Sequence, residues 1–363
     1  MLEPLSLANL VTAAVAFAGF VALLWLAARY LPGRAFKGRT LSDGTRQSYH
    51  ANGMSALLLV LALHLSGAFL GAWSLAWPVR HIIALTLVAN LFAFVCATWI
   101  FLRARRQRAN AARGWKDALR DYFFGIDLNP SWRGIDLKMF SYRPSLIGLC
   151  LINLAFAGLQ WERHGQLSIR MLLFQAFFFI YILNHFQLER VMTSTWDIIQ
   201  EKFGWMLIWG DFVFVPFAYS IAGWFLVDNF APISTASILA LSTLYGFGFC
   251  LFRGANVQKH AFRENRQTLI WGKPAASLSG QLLVSGFWGI GRKLNYTGEW
   301  CIYCAWTALA GFQSWVPWLI PLWLLALLGQ RAARDDARCR EKYGPLWEAY
   351  CRRVAFRMFP GVY

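Results

Sequence analysis

Residues 5–28 read LSLANLVTAAVAFAGFVALLWLAA, without one charged side chain. A helix needs about 20 consecutive apolar residues to cross the hydrocarbon core of a bilayer. Inside that core each backbone polar group must find its partner within the segment, so a helix is the form such a stretch takes. The run is too long for the apolar part of a cleavable signal, and no basic residue precedes it. It therefore predicts a membrane span. Working outward, similar runs recur near 53–75, 81–102, 144–160, 170–186, 204–227 and 233–251. A further pair near 300–313 and 316–329 is broken by Gly311, Pro317 and Pro321. Ser277–Ile290 is apolar but short and punctuated by glycine, which suits re-entrant or partly buried backbone on the cytoplasmic side. The expectation is an all-α, polytopic integral membrane protein with nine spans.

Composition agrees: of 363 residues, 58% are apolar and only 15% charged, against about 25% charged in an ordinary soluble domain. Disorder, a coiled coil and a disulfide scaffold are excluded. Lys and Arg number 35 against 18 Asp and Glu, a net charge of +17. In a soluble protein that excess would point to nucleic acid. Here the cations sit between apolar runs, so they report topology and attraction to anionic lipid, with no nucleic-acid partner. Segments 29–52, 103–143, 187–203 and 252–275 are basic or mixed, the densest block holding Arg103, Arg105, Arg106, Arg108, Arg113, Lys116 and Arg120. Connections 76–80, 161–169 and 228–232 are nearly bare of charge. Every basic loop then falls on one side, which the positive-inside rule makes cytoplasmic together with the tail Arg331–Tyr363. Two regions follow: a helical bundle over 1–251 and a C-terminal region over 252–363.

Ionisable residues in or near spans are functional candidates. Asp197 and Glu201 are spaced i, i+4 and predict a shared helical face. Asp211 lies inside an apolar span, with Tyr219 two turns further along. The competing explanation is an interfacial belt of Trp196, Trp205 and Trp209 with acids facing headgroups. Lys259, Arg263 and Arg266, at i, i+4 and i+7, predict a basic face, and Arg292, Arg331, Arg334 and Asp335 follow. Such cations beside glycine-rich backbone suit a multiply charged anion such as a nucleotide's phosphates, or equally lipid headgroups. Gly286, Gly289 and Gly291 lack the strand–turn–helix setting of a dinucleotide fingerprint. Cys301 and Cys304 form a lone C-x-x-C that reads as packing, since a zinc site needs more ligands. No HExxH, GxSxG or P-loop occurs.

These residues sit in motifs that resemble the membrane sterol reductases acting on C14, C7 and C24(28) double bonds, a family that includes the lamin B receptor's reductase domain. The signature D-x-F-x-G-x-x-L-N-P stands as Asp121, Phe123, Gly125, Leu128, Asn129 and Pro130, followed by Ser131 where the family has Arg. R-x-x-R-D-x-x-x-C-x-x-K-Y-G stands as Arg331, Arg334, Asp335, Cys339, Lys342, Tyr343 and Gly344. LLVSGFWGIGRKLNYTGE at 282–299, PGRAFKGRTLSDGTRQSYHANG at 32–53 and EAYCRRVAFRMFPGVY at 348–363 are also similar to family motifs. The likeness runs over about residues 30–363. The family layout has ten helices, so nine spans imply loss of the first.

The resemblance implies NADPH-dependent reduction of a sterol carbon–carbon double bond in sterol biosynthesis. Carried over, the cofactor site comprises Lys259, Arg263, Leu283, Trp288, Asn295, Tyr296, Arg331, Asp335, Cys339 and Tyr343. The sterol enters from the bilayer into a pocket among the aromatic spans around 170–226. An unactivated alkene must be protonated before it accepts hydride, so an acid is required. Asp211, Tyr219, Asp197 and Glu201 are the candidates. Arg292–Lys293 resembles the C24(28) branch, whereas WGDFVFVPFAYS at 209–220 resembles the C14/C7 branch; C14 is the reading adopted, with C7 and C24(28) as alternatives. Two other classes compete: an isoprenylcysteine-type, S-adenosylmethionine-dependent membrane methyltransferase, whose C-terminal pattern is similar, and a non-catalytic sterol-binding protein. The host membrane is expected to be a bacterial inner membrane or the endoplasmic reticulum.

Overall fold

A computed structural model describes residues 2–40, 44, 46–107, 114–193 and 195–362. Arg108 and Arg113 of the dense basic block lie outside the described residues. Among the described residues, six helices are long and apolar enough to cross a membrane: Leu7–Tyr30, Ile82–Gln107, Leu137–His164, Ile169–Gln187, Trp205–Val227 and Thr235–Glu264. Gly53–Phe69 is apolar but shorter. The expected C-terminal hairpin is formed by Leu294–Ala308 and Leu319–Tyr343, the second of which runs well past its apolar half into the charged tail.

The chain divides into two units, Met1–Asn229 and Phe230–Tyr363. In the first, Leu137–His164 is the central helix: 78% of its apolar window is buried, against 17% for Leu7–Tyr30. It begins at Leu137 rather than near 144. Asp136 caps its first turn by accepting from Met139 N at 2.7 Å, and Gly165, at φ +65°, ends it. Starting so early carries Lys138 and Arg143 into the interior, where each finds oxygen partners; Arg143 pairs with buried Glu189 at 3.1 Å. Within the basic segment 29–52, the strand Arg34–Thr40 pairs antiparallel with Arg46–Ala51, Arg34 opposite Ala51. Asn52 follows, its Nδ2 donating to Ala27 O and Leu31 O at 3.1 and 2.9 Å to cap Leu7–Tyr30.

In the second unit Thr235–Glu264 packs along Leu294–Ala308. Gly248 and Gly298 let the two backbones meet: a Cβ on Gly298 would lie 2.4 Å from Gly248 O, the close approach that small residues permit between membrane helices. Ser277–Ile290 forms a two-residue hairpin, Ser277–Leu278 against Leu282–Leu283, then one helical turn at Phe287–Ile290. Arg292 is a structural residue: its buried guanidinium donates to Val354 O and Ala355 O at 2.6 and 2.9 Å and pairs with Asp336, holding down the chain end.

Candidate active site

In the first unit the acids converge on Lys138, which is 0% exposed. Its Nζ donates to the backbone carbonyls of Asp197 and Glu201, each at 2.6 Å. One helical turn on, Ser141 Oγ donates to Asp211 Oδ2. Asp197 and Glu201 do not share a helical face, contrary to the expectation from their spacing. The helix there is only Trp196–Ile199, and Gln200, at φ −137° and ψ −43°, leaves it. Glu201 is buried instead by its own bonds, its Oε1 accepting from Trp196 Nε1 at 2.6 Å. Trp196 is thus a partner of the acid rather than only a belt residue.

The loop that carries these acids is set by the Asp121–Pro130 motif. Helix Trp115–Phe124 ends at Gly125, at φ +95°, where a Cβ would lie 2.7 Å from Gly204 N. Asp127 O then accepts from Phe203 N at 2.9 Å, and Asn129 Nδ2 donates to Ile198 O at 3.2 Å. The motif therefore brackets the loop from both ends.

Asp211 lies in a stretch of π-helix, Gly210–Ala218, with Pro216 inside it. The wider i→i+5 winding replaces the two α-turns expected between Asp211 and Tyr219, and such insertions gather at functional sites. Tyr219 packs edge-on against Phe214, ring centres 5.5 Å apart. Phe212, Pro216 and Phe217 wall a cavity of about 460 Å³ that also reaches Phe17 and Trp77.

In the second unit Lys259 Nζ lies 4.0 Å from the centre of the Trp288 ring, a cation–π contact. Trp288 is held by its Nε1–H to Ala255 O at 2.7 Å and packs with Leu283, Phe262 and Ile270. Lys259 faces Arg263, Lys293, Asp335 and Cys339 electrostatically. Lys293 Nζ pairs with Asp335 Oδ2, and Cys339 Sγ lies 3.9 Å from Asp335 Oδ1. Burial works against the charge on Asp335, but Lys293 and Lys259 outweigh it and hold the carboxyl below its ordinary range. Burial likewise opposes the charge on Lys293, and Asp335 more than offsets it, raising the ammonium above its ordinary value.

Arg331, Asp335, Cys339 and Tyr343 recur every fourth residue on Leu319–Tyr343 and so line one face of it. Tyr343 and Cys339 pack against the cluster of Trp347, Tyr350 and Val354. Asn295 Nδ2 donates to Asn256 Oδ1 at 3.2 Å, while its own Oδ1 is buried without a partner among the described residues. Tyr296 acts on Lys293. Arg266 does not join the basic face: Thr235–Glu264 ends at Asn265, and Arg266 turns back over Phe262, 4.5 Å from its ring centre. Sequence reasoning missed Lys138, Ser141 and Asn256. A lone Lys three residues before a Ser, at the foot of an apolar run, was the available signal for the first two.

The Ergosterol biosynthesis ERG4/ERG24 family model matches residues 6–363. A delta(14)-sterol reductase of Arabidopsis thaliana is 40% identical over 94% of this chain and 93% of its own length. A delta(14)-sterol reductase of Methylotuvimicrobium alcaliphilum is 36% identical over 92% of this chain and 79% of its own. A 7-dehydrocholesterol reductase of Xenopus laevis is 33% identical over 90% and 73%. A likeness confined to the C-terminal pattern, as for the methyltransferases, would not extend over the N-terminal unit. With a match over nearly every residue, this chain belongs to the Ergosterol biosynthesis ERG4/ERG24 family.

Proposed function

We propose that this chain, an integral multi-pass membrane enzyme, reduces the C14 double bond of a sterol with NADPH during sterol biosynthesis. The observation that carries the reading is the whole-length likeness to delta(14)-sterol reductases, 40% and 36% identical, against 33% for the 7-dehydrocholesterol enzyme.

The residues fit a phosphate-bearing nicotinamide cofactor. Lys259 sits with two further cations, Arg263 and Lys293, about the one Asp335 carboxylate, a balance that suits phosphate. Tyr296 is partly exposed and offers a flat ring, buried Trp288 and Leu283 back the Lys259 ammonium, and the unpartnered Asn295 Oδ1 would accept from an amide or hydroxyl. Arg331, Asp335, Cys339 and Tyr343 complete the set along one helix face. When bound, NADPH supplies the hydride.

The chain's own part in the chemistry is the proton. Protonating the alkene gives a tertiary cation ready for hydride, and water must be kept from quenching it. Asp211 is the donor in this reading, buried among Phe212 and Val213. Ser141 Oγ donates to Asp211 Oδ2 and also lies 2.8 Å from Lys138 O, which ties the carboxyl to the helix that carries Lys138. Tyr219 relays or positions, and Asp197 and Glu201 shape the field around Lys138. The C-terminus and basic loops face the cytoplasm of a bacterial inner membrane or endoplasmic reticulum.

The test is incubation of purified protein with NADPH and a panel of Δ14, Δ7 and Δ24 sterols, read by mass spectrometry. Gain of two mass units by the Δ14 substrate alone is expected. Reduction of another member of the panel instead would overturn the C14 assignment.

A further inference from the structure

A second cavity, of about 370 Å³, lies in the first unit among Gly53–Phe69, Leu137–His164 and Ile169–Gln187. Leu65 and Phe179 on its wall are 46% and 40% exposed, so it opens at the apolar outer surface, where the hydrocarbon of a bilayer would be. Its lining is apolar but for two amides. Gln175 Nε2 is committed to Asn153 O at 2.7 Å and to Met171 Sδ at 3.4 Å. Asn153 is 1% exposed, and neither its Nδ2 nor its Oδ1 has a hydrogen-bond partner among the described residues.

An unpaired amide in a membrane interior is costly. Bilayer lipids offer few groups that satisfy both of its ends. A ketone accepts from Nδ2 but cannot donate to Oδ1, and a hydrocarbon chain does neither. A hydroxyl does both at once. A phosphate headgroup would need cations, and this wall supplies none among its described residues. The volume falls within the range of about 300–1,000 Å³ usual for small-molecule pockets.

We propose that this groove is a docking site for a hydroxysterol taken from the bilayer, with its hydroxyl paired to the Asn153 amide. The sterol identity rests on the reductase reading above; the groove's demand for an apolar lipid with one hydroxyl does not. Asn153 lies twelve positions along Leu137–His164 from Ser141, about 18 Å by helical rise. The groove is therefore a holding site, separate from the acid cluster. It borrows the same two helices, Gly53–Phe69 and Leu137–His164, as the cavity beside Phe212 but uses other residues of each.

The test uses the full chain in phosphatidylcholine nanodiscs and a 3β-hydroxysterol bearing a photoactivatable diazirine on its side chain. Labelling is expected within residues 150–182, competed at least tenfold better by the unlabelled hydroxysterol than by its 3-ketone. Asn153→Leu, similar in size and free of the unpaired amide, should erase that preference. Ala176→Phe, at the exposed mouth, should block labelling. Three results would each overturn the site: unchanged labelling in both variants, equal competition by the ketone, or no competition by excess sterol, which would leave water or acyl chains as the occupants. Parallel assays with NADPH and Δ14-sterol keep the two claims apart. Turnover with labelling elsewhere overturns the groove alone, and labelling in the groove without turnover overturns the reductase reading alone.

Discussion

The two charged clusters are built on opposite balances. In the first unit buried Lys138 acts among the carboxyls of Asp136, Asp197, Glu201 and Asp211, and backbone carbonyls fill two of its hydrogen-bond positions. In the second, Lys259, Arg263 and Lys293 act about Asp335. An acid-rich cluster closed by its own chain suits storage of a proton. A cation-rich one suits an anion brought from outside. In the proposed reading, the same physics of buried charge, paired or costly, would serve a donor site in one unit and a receptor site in the other.

Breaking the first balance should have the largest effect. Asp211→Asn keeps the shape but cannot supply the proton, so sterol turnover should fall by about 10²–10⁴, the range for a general acid, with NADPH binding unchanged. Single-turnover assays with titrated NADPH separate the two. A near wild-type rate would make Asp211 structural and move the role to Glu201 or Asp197.

Breaking the second balance should act on the cofactor. Lys259→Ala or Arg263→Ala should raise KM for NADPH by about tenfold, or 1.4 kcal/mol, while KM for NADH changes much less. Equal effects on both cofactors would mean that these cations serve the membrane surface. Asn295→Ala and Arg331→Ala should each abolish turnover while the melting profile stays near wild type; NADPH consumption at the normal rate in either would remove that residue from the cofactor set.

Lys138→Met sharpens the contrast, because it should cost stability before chemistry. Two buried carbonyls lose their donor, at about 1–3 kcal/mol each. A lowered melting temperature is expected, together with faster proteolysis near residues 197–201. An unaltered melt would show that the clamp is dispensable.

The smallest effect is one of pH. The Asp335 carboxyl sits below its ordinary 3.8, so its contribution holds above that pH and is lost as the pH falls through the lowered value. The Lys293 ammonium sits above 10.5, so its contribution holds below 10.5 and is lost as the pH rises past the raised value. Thermal stability that depends on this pair should therefore be flat from pH 5 to 9, about the span between those limits. Asp335→Asn should lower the whole plateau rather than tilt it.

Much of this could be read from the chain, and the exceptions have physical causes. Apolar length announced Leu7–Tyr30 and Thr235–Glu264, because each is uniform and charge-free over a membrane's thickness. The start of Leu137–His164 was hidden, since Lys138 and Arg143 look like loop charges until their buried partners are known. The spacing of Asp197 and Glu201 suggested a helix that Gln200 ends, its carbonyl neighbours being claimed by Lys138 instead. Asp211 and Tyr219 were named, but the π-winding between them has no clear mark in sequence beyond Pro216. The groove at Asn153 was invisible, because an Asn inside an apolar run does not reveal whether its amide is paired.

The proposed reaction divides its labour: a proton from the first unit and a hydride from a cofactor held by the second. The most direct test reduces a Δ14-sterol in heavy water with ordinary NADPH, then in ordinary water with NADPH deuterated at the transferable position. One deuterium should enter the product in each experiment, at adjacent carbons, and Asp211→Asn should form little product in either. Both hydrogens arriving from one source, or a Δ14-sterol left unreduced by the active preparation, would contradict it.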